Sequence, residues 1–372
     1  MSAARNQAGE PAVLRPLLPA LLAFFGIVLL LNLISFAFGQ APLTTLRLAL
    51  AGTWGTPYGI GQVLFKSTPL IFTALAFEIA LRSGLFNIGA EGQVALGSLA
   101  GGVVGANLPH GTPWPIAVAV CIAAASLTGA GVALIPAVMR ARLGVHEIIS
   151  TIMLNRIVEV LLPFLLVTVL GATALRTVDV VPGAALLKLD AVFPALRGSA
   201  ASVAFPLAVA LAFSVDALLR RTRRGREMRW IGINAAACRA EGIDVPRRLV
   251  QAMLLSGAIA GAAMAATVLG YKGYYELGLG AGAGFTGIAV ALLGRGHPLG
   301  MVIAALLFGT LQQAGLAVNA RVPKEAMDVL AAAVILLVAV ANRAAAKPLT
   351  QAIVPEPEPP SPTAAAVKEG AS

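Results

Sequence analysis

PIAVAVCIAAASLTGAGVALIPAVM, residues 115–139, runs for 25 residues without a charge and stops against Arg140 and Arg142. As an α-helix it would measure about 37 Å, more than the ~30 Å hydrocarbon core of a bilayer. The run reads as a membrane-spanning helix closed by basic residues at one membrane face.

Similar runs flank it on both sides, at 17–38, 61–81, 88–108, 149–170, 201–219, 249–269, 299–316 and 326–341. The run 17–38 follows Arg5 and Arg15, and it exceeds the 7–15 apolar residues usual in a signal peptide, so it reads as an anchor. A further run, 285–293, is too short to cross alone and reads as a re-entrant half-helix. The fold class expected is therefore all-α integral membrane, with about ten transmembrane helices.

Composition agrees. Of 372 residues, 58% are hydrophobic and 12% charged, against about a quarter charged in soluble domains. So few charges cannot cover a water-facing surface. The net charge of +10 does not point to nucleic acid, because nine arginines fall between Arg220 and Arg248 and most others end apolar runs. That distribution is how a membrane protein orients itself. With the N-terminus inside, the inner segments hold Arg82, Arg140, Arg142, the Arg220–Arg248 cluster, Arg295, Arg343 and Lys347. The outer ones hold only scattered, nearly balanced charges, such as Arg176, Asp179, Lys188, Asp190 and Arg197. The expected organisation is a cytoplasmic segment 1–16, a transmembrane domain 17–346 with a long inner loop at about 220–248, and a Pro-rich tail 347–372. Both termini come out cytoplasmic. The tail carries Pro-Glu-Pro-Glu-Pro-Pro at 355–360, has no apolar face, and reads as disordered.

Polar groups inside apolar runs are the candidates for function, because they are costly at membrane depth. Glu78 and Arg82, and Arg156 and Glu159, have spacings that pair opposite charges on one helix face. The stretch 84–93 packs Gly84, Gly89 and Gly92 with Asn87, Glu91 and Gln93. Asn87 is expected as an N-cap and Glu91 in the first turns of the next helix, where negative charge is favoured. In the long loop, Asn234 can cap a short alanine-rich helix that Gly242 ends, a shape suited to a groove on a partner protein. Gly97, Gly101 and Gly105, and Gly257 and Gly261, stand four apart as helix-packing motifs.

Several chemistries find no support. The chain has no phosphate loop of the form G-x-x-x-x-G-K-[ST], no H-E-x-x-H and no G-x-S-x-G. His110, His146 and His297 are far apart, and Cys121 and Cys238 lie in different environments, so no metal site or disulfide is expected. The segment 278–283 fits a relaxed G-x-G-x-x-A pattern, but no strand precedes it, and a bent, close-packed backbone is the better reading.

The segment Gly232-x-Asn234-x-x-Ala237-Cys238-x-x-x-Gly242-Ile243 resembles the coupling loop of bacterial ABC-transporter permeases of the ribose and branched-chain amino-acid group. Cys238 stands where the second alanine is usual. The stretch 84–93 looks like the signature of the nucleoside branch (basic-membrane-protein-associated), and the blocks 144–155 and 284–294 agree in order. The resemblance implies a type II ABC-importer-like permease with a cytoplasmic coupling helix, in a bacterial plasma membrane. It further implies a separate ABC ATPase carrying ATP and Mg, a second related permease subunit and an extracytoplasmic substrate-binding protein, with no cofactor on this chain. On that reading Gly232, Asn234, Ala237, Arg239 and Gly242 carry coupling. Asn87, Glu91, Gln93, Ser150, Thr151 and Asn155 are candidates for the pathway or its gates, since nucleosides suit neutral hydrogen-bonding groups. A sugar or branched-chain amino-acid permease is the nearest alternative. An ion-coupled secondary transporter is a more distant one, and a membrane enzyme is disfavoured by the missing motifs.

Overall fold

The computed structural model describes residues 29–333, apart from 31, 34, 42, 324, 325, 327, 328 and 331. The segments 1–16 and 347–372, and most of the runs 17–38 and 326–341, lie outside the described residues. One compact unit, Leu31–Ala331, holds every element discussed below.

Its helices are α1 (Thr44–Thr53), α2 (Pro57–Arg82), α3 (Ala90–Asn107), α4 (Trp114–Leu143), α5 (Glu147–Phe164, continued by a π-helical turn Leu165–Val169) and α6 (Ala204–Arg221). They are followed by α7 (Arg223–Ala240), α8 (Val245–Ala262, leading to a π-helical segment Ala265–Lys272), α9 (Ala283–Gly294) and α10 (Pro298–Val318). Five are long and apolar enough to cross a membrane: α2, α4, α5 with its π turn, α8 with its π segment, and α10. The other predicted crossings in this region fall on shorter or more polar helices. α3 opens on Glu91 and Gln93, α6 closes on Asp216, Arg220 and Arg221, and α9 has 12 residues. α1 was not legible as a helix in the sequence. It lies against α10, where Trp54 Nε1 donates to Thr310 Oγ1 at 3.2 Å.

α2 is the central helix. Thr56 caps it by accepting from Gly59 N at 3.0 Å, with Pro57 in the first turn, where its missing N–H costs nothing. Every residue from Ser67 to Ala80 is buried, hydroxyls included. Ser67 and Thr68 return their hydroxyl protons to carbonyls four residues back, at 2.6 and 2.7 Å. Such bonding lets polar side chains sit in an apolar bundle without an orphaned donor.

The expected glycine motifs do bring helices together. A Cβ on Gly257 would lie 2.4 Å from the Gly129 carbonyl oxygen, and one on Gly261 would lie 2.2 Å from that of Ala125. α4 and α8 therefore touch backbone to backbone, the close approach that small residues allow in lipid.

At one end of the bundle the loop between α5 and α6 folds over the segment after α8. Thr177 N donates to Tyr275 O at 2.8 Å and Val180 N to Gly273 O at 2.7 Å. From there residues 273–282 run non-helically, with φ of +85, +82 and +82° at Gly278, Gly280 and Gly282, before α9 begins. Irregular backbone of this kind is tolerated at membrane depth only inside protein or along a cavity.

Candidate functional site

The arginine-rich end of the bundle carries the segment singled out in the sequence. Thr222 caps α7 by accepting from Gly225 N at 3.0 Å. The helix runs straight through the arginines, where the sequence suggested only an anchor, and breaks at Asn234 (φ −153°, ψ 94°). There the Asn234 side-chain oxygen accepts from Ala236 N and Ala237 N, both at 3.0 Å, and starts a second helical piece. Gly242, at φ +77°, ends it, with Ile243 N reaching back to Cys238 O at 2.9 Å. The start and stop expected from Asn234 and Gly242 are the ones observed.

This segment is seated in three ways. Ile231, Cys238 and Val245 form a small buried cluster under it. Beside the cluster, a Cβ on Gly232 would sit 2.3 Å from Arg82 O and 3.0 Å from Gly84 N, so backbone meets backbone at the C-terminus of α2. A third tie comes from Glu227, which the sequence reading passed over. Its buried carboxylate accepts from Arg223 Nε at 2.9 Å and from Arg248 Nε, on α8, at 2.6 Å. Burial alone would raise its pKa, but the hydrogen bonds and charges of the two guanidiniums hold it below the usual carboxylate range. What remains outside is a groove of about 570 Å³ whose lining includes Trp230, Ile233, Asn234, Ala237 and Glu241. Ile233 is 82% and Trp230 50% exposed. Ala237, Arg239 and Gly242 are exposed as well.

The pathway candidates gather where α2, α3, α5, α8 and α9 meet. Asn87 is fully buried and donates to Gln93 Oε1 at 2.9 Å and to Ser256 Oγ at 2.7 Å, while Gln93 Nε2 donates back to its oxygen at 3.2 Å. Ser256 on α8, which nothing in the sequence marked, passes its own proton to Ala76 O on α2 at 2.6 Å. Asn87 is thus not the expected helix cap. α3 starts after Gly89 with no side-chain cap of its own. Its free amide at Gly92 is taken instead by Asn155 Oδ1 of α5 at 3.0 Å, while Asn155 Nδ2 donates to Ile88 O at 2.9 Å.

Glu91 does lie in the first turn of α3, yet its carboxylate serves another helix. It accepts from Gly282 N at 2.5 Å and Gly284 N at 2.8 Å, capping α9 at its positive end. Ser150 and Thr151 bond within α5, to the carbonyl of Glu147 at 3.1 and 2.8 Å. Glu147 itself joins the two regions. Its Oε1 accepts from Phe86 N at 3.2 Å and its Oε2 faces Arg140 Nε at 3.2 Å. Among the described residues no group of histidine, cysteine, aspartate and glutamate could hold a metal ion.

The family described as branched-chain amino acid transport system / permease component matches residues 59–339. The chain belongs to this permease family. Among curated relatives, the permease is 35% identical over 295 residues to the guanosine ABC transporter permease protein NupP of Bacillus subtilis, covering 77% of this chain and 83% of the relative. It is 30% identical over 331 residues to the nucleoside ABC transporter permease protein NupB of Lactococcus lactis, covering 87% and 90%. It is also 32% identical over 346 residues to the glucose ABC transporter permease protein TsgB13 of Haloferax volcanii, covering 87% and 88%. No solved structure matches the chain. The permease is a multi-pass membrane protein.

Proposed function

We propose that this chain is the permease subunit of an ATP-driven ABC importer for nucleosides and forms half of its translocation pathway. The observation that carries the reading is the Asn234-capped helical piece, held rigidly on the ends of α2 and α8 and left open on its other side. Such a piece is a docking element. A partner that pushes on it pushes on α2 and α8 directly. The partner is a separate ABC ATPase, which brings ATP, Mg and the phosphate loop this sequence lacks. Gly232, Asn234, Ala237, Arg239 and Gly242 form the coupling element.

The remaining parts follow from the family. A second, related permease subunit completes the pathway, and an extracytoplasmic binding protein delivers the solute. The transmembrane domain spans 17–346 with about ten crossings and both termini cytoplasmic. The guanosine and nucleoside relatives, together with the nucleoside-branch likeness of the stretch 84–93, support nucleosides as the solute. The glucose relative makes a sugar the second reading. Asn87, Glu91, Gln93, Ser150, Thr151 and Asn155 set the helix positions around the pathway.

The test has two arms. Arg239→Ala with Glu241→Ala should leave the chain inserted but reduce ATPase co-purification; undiminished association would overturn the docking assignment. Uptake of labelled guanosine by the complete transporter should be blocked by unlabelled nucleosides and not by glucose. The reverse pattern makes it a sugar permease.

A further inference from the structure

α4 and α5 both present an exposed face, and the two faces differ in one respect. Along α4 the outward residues are apolar, with Val120, Leu127 and Leu134 among them. A surface of that kind meets lipid without cost. On α5, Ile149, Met153 and Val160 are exposed at spacings of four and seven, and Arg156 stands among them on the same face, with Glu159 at its edge. Arg156 Nη1 and Glu159 Oε2 pair at 2.8 Å, yet their side chains are 75% and 66% exposed.

Depth decides what this means. Arg156 lies about 14 Å along the helix from Glu147, which the charged turn around Arg140 holds at one membrane face. That is close to half of a ~30 Å core. Its neighbour Asn155 is bonded to Ile88 and Gly92 inside the bundle, so Arg156 is turned away from the described helices of this chain. An ion pair at that depth facing hydrocarbon would be costly, and intramembrane charges characteristically face a bundle interior or a water-filled path. Snorkelling to the interface is open to side chains near helix ends, not to one in the middle.

We infer that the Arg156–Glu159 face of α5 lines the aqueous pathway and is a solute-contact site for a nucleoside. The assignment rests on the importer reading above. The guanidinium offers donors to ring nitrogens and carbonyls and a flat cation for stacking on a base. The Glu159 carboxylate accepts from ribose hydroxyls. Met153 and Val160 give the base an apolar surface beside them.

The complete transporter, reconstituted in proteoliposomes with Cys121→Ser and Cys238→Ser, tests this with single cysteines. Met153→Cys and Val160→Cys should react with a charged methanethiosulfonate applied from both sides, Leu127→Cys should not, and guanosine should slow the reaction. Arg156→Gln should raise the KM for guanosine about tenfold or more, the loss expected for a charged hydrogen bond. If positions 153 and 160 react no faster than 127, the face meets lipid and the inference falls. It falls equally if they react but neither guanosine nor glucose protects them. Protection by glucose and not by guanosine would keep the site and overturn the nucleoside reading instead.

Discussion

Asn87 commits its amide donor and its carbonyl to partners inside the protein, and those partners belong to two other helices. Removing it would leave the Gln93 amide buried without its mate, at about 1–3 kcal/mol per unsatisfied group. Asn87→Ala should therefore lower the thermal unfolding midpoint of the detergent-purified protein clearly, while the chain still inserts. An unaltered midpoint would mean that the pair adds nothing to stability. The sequence marked Asn87, Glu91, Gln93 and Asn155 as polar groups out of place in apolar runs, and all four are placed where helices meet. It could not say what they hold. Glu91 finds its partners 191 and 193 residues away, and Asn155 finds one 63 residues back. Spacing rules reach only a helical turn or two, so such pairings are invisible to them. Ser256 was missed for a related reason: one serine in an apolar helix carries no signal until its neighbours are known.

Among the elements, α7 and α8 are joined at Glu227 in a way that responds to acid. The folded protein keeps this carboxylate ionised at lower pH than the unfolded chain does, because Arg223 and Arg248 offset its burial. In the interval between the two values the unfolded chain binds more protons, so stability rises with pH there. The contribution is complete above about pH 4.3, the ordinary glutamate value, and is lost as pH falls through the depressed one. Glu227→Gln should lower the thermal midpoint at neutral pH and flatten its fall below about pH 4.3. Equal acid slopes in the two proteins would show that the tie is not what acid breaks. The two halves of α7 were unequally legible. Asn234 and Gly242 carry local cap chemistry, and the structure uses both. The stretch 223–233 was hidden because a run of arginines has no apolar period, although Thr222 and Gly225 offer a cap of their own.

For the whole molecule, apolar runs gave membrane class and helix order directly, but not the number of complete crossings. α9 shows why. It is about 18 Å long, and its first residue is fixed to the middle of α2, where Thr73 Oγ1 donates to Ala283 O at 2.8 Å. Its last turn leads to Gly296, which packs against Glu78 and Arg82 at the end of α2. The other half of the distance is covered by the glycine-bent chain 273–282, which leaves α8 beside the loop 170–203. Loop and half-helix together run the length that one apolar helix would, and Arg295 lies beside Arg82 and Arg229 at the arginine-rich end. Alkaline phosphatase, active only outside the cytoplasm, can read this from fusions. Joined after Asp190 it should be active, and joined after Gly225 or after Gly296 it should be silent. Activity after Gly296 would mean that the chain turns back at α9, leaving Arg295 on the side of the loop 170–203. Arg295 would then lie on the face opposite the arginine cluster at 220–248, against the sorting of positive charge expected of a membrane protein.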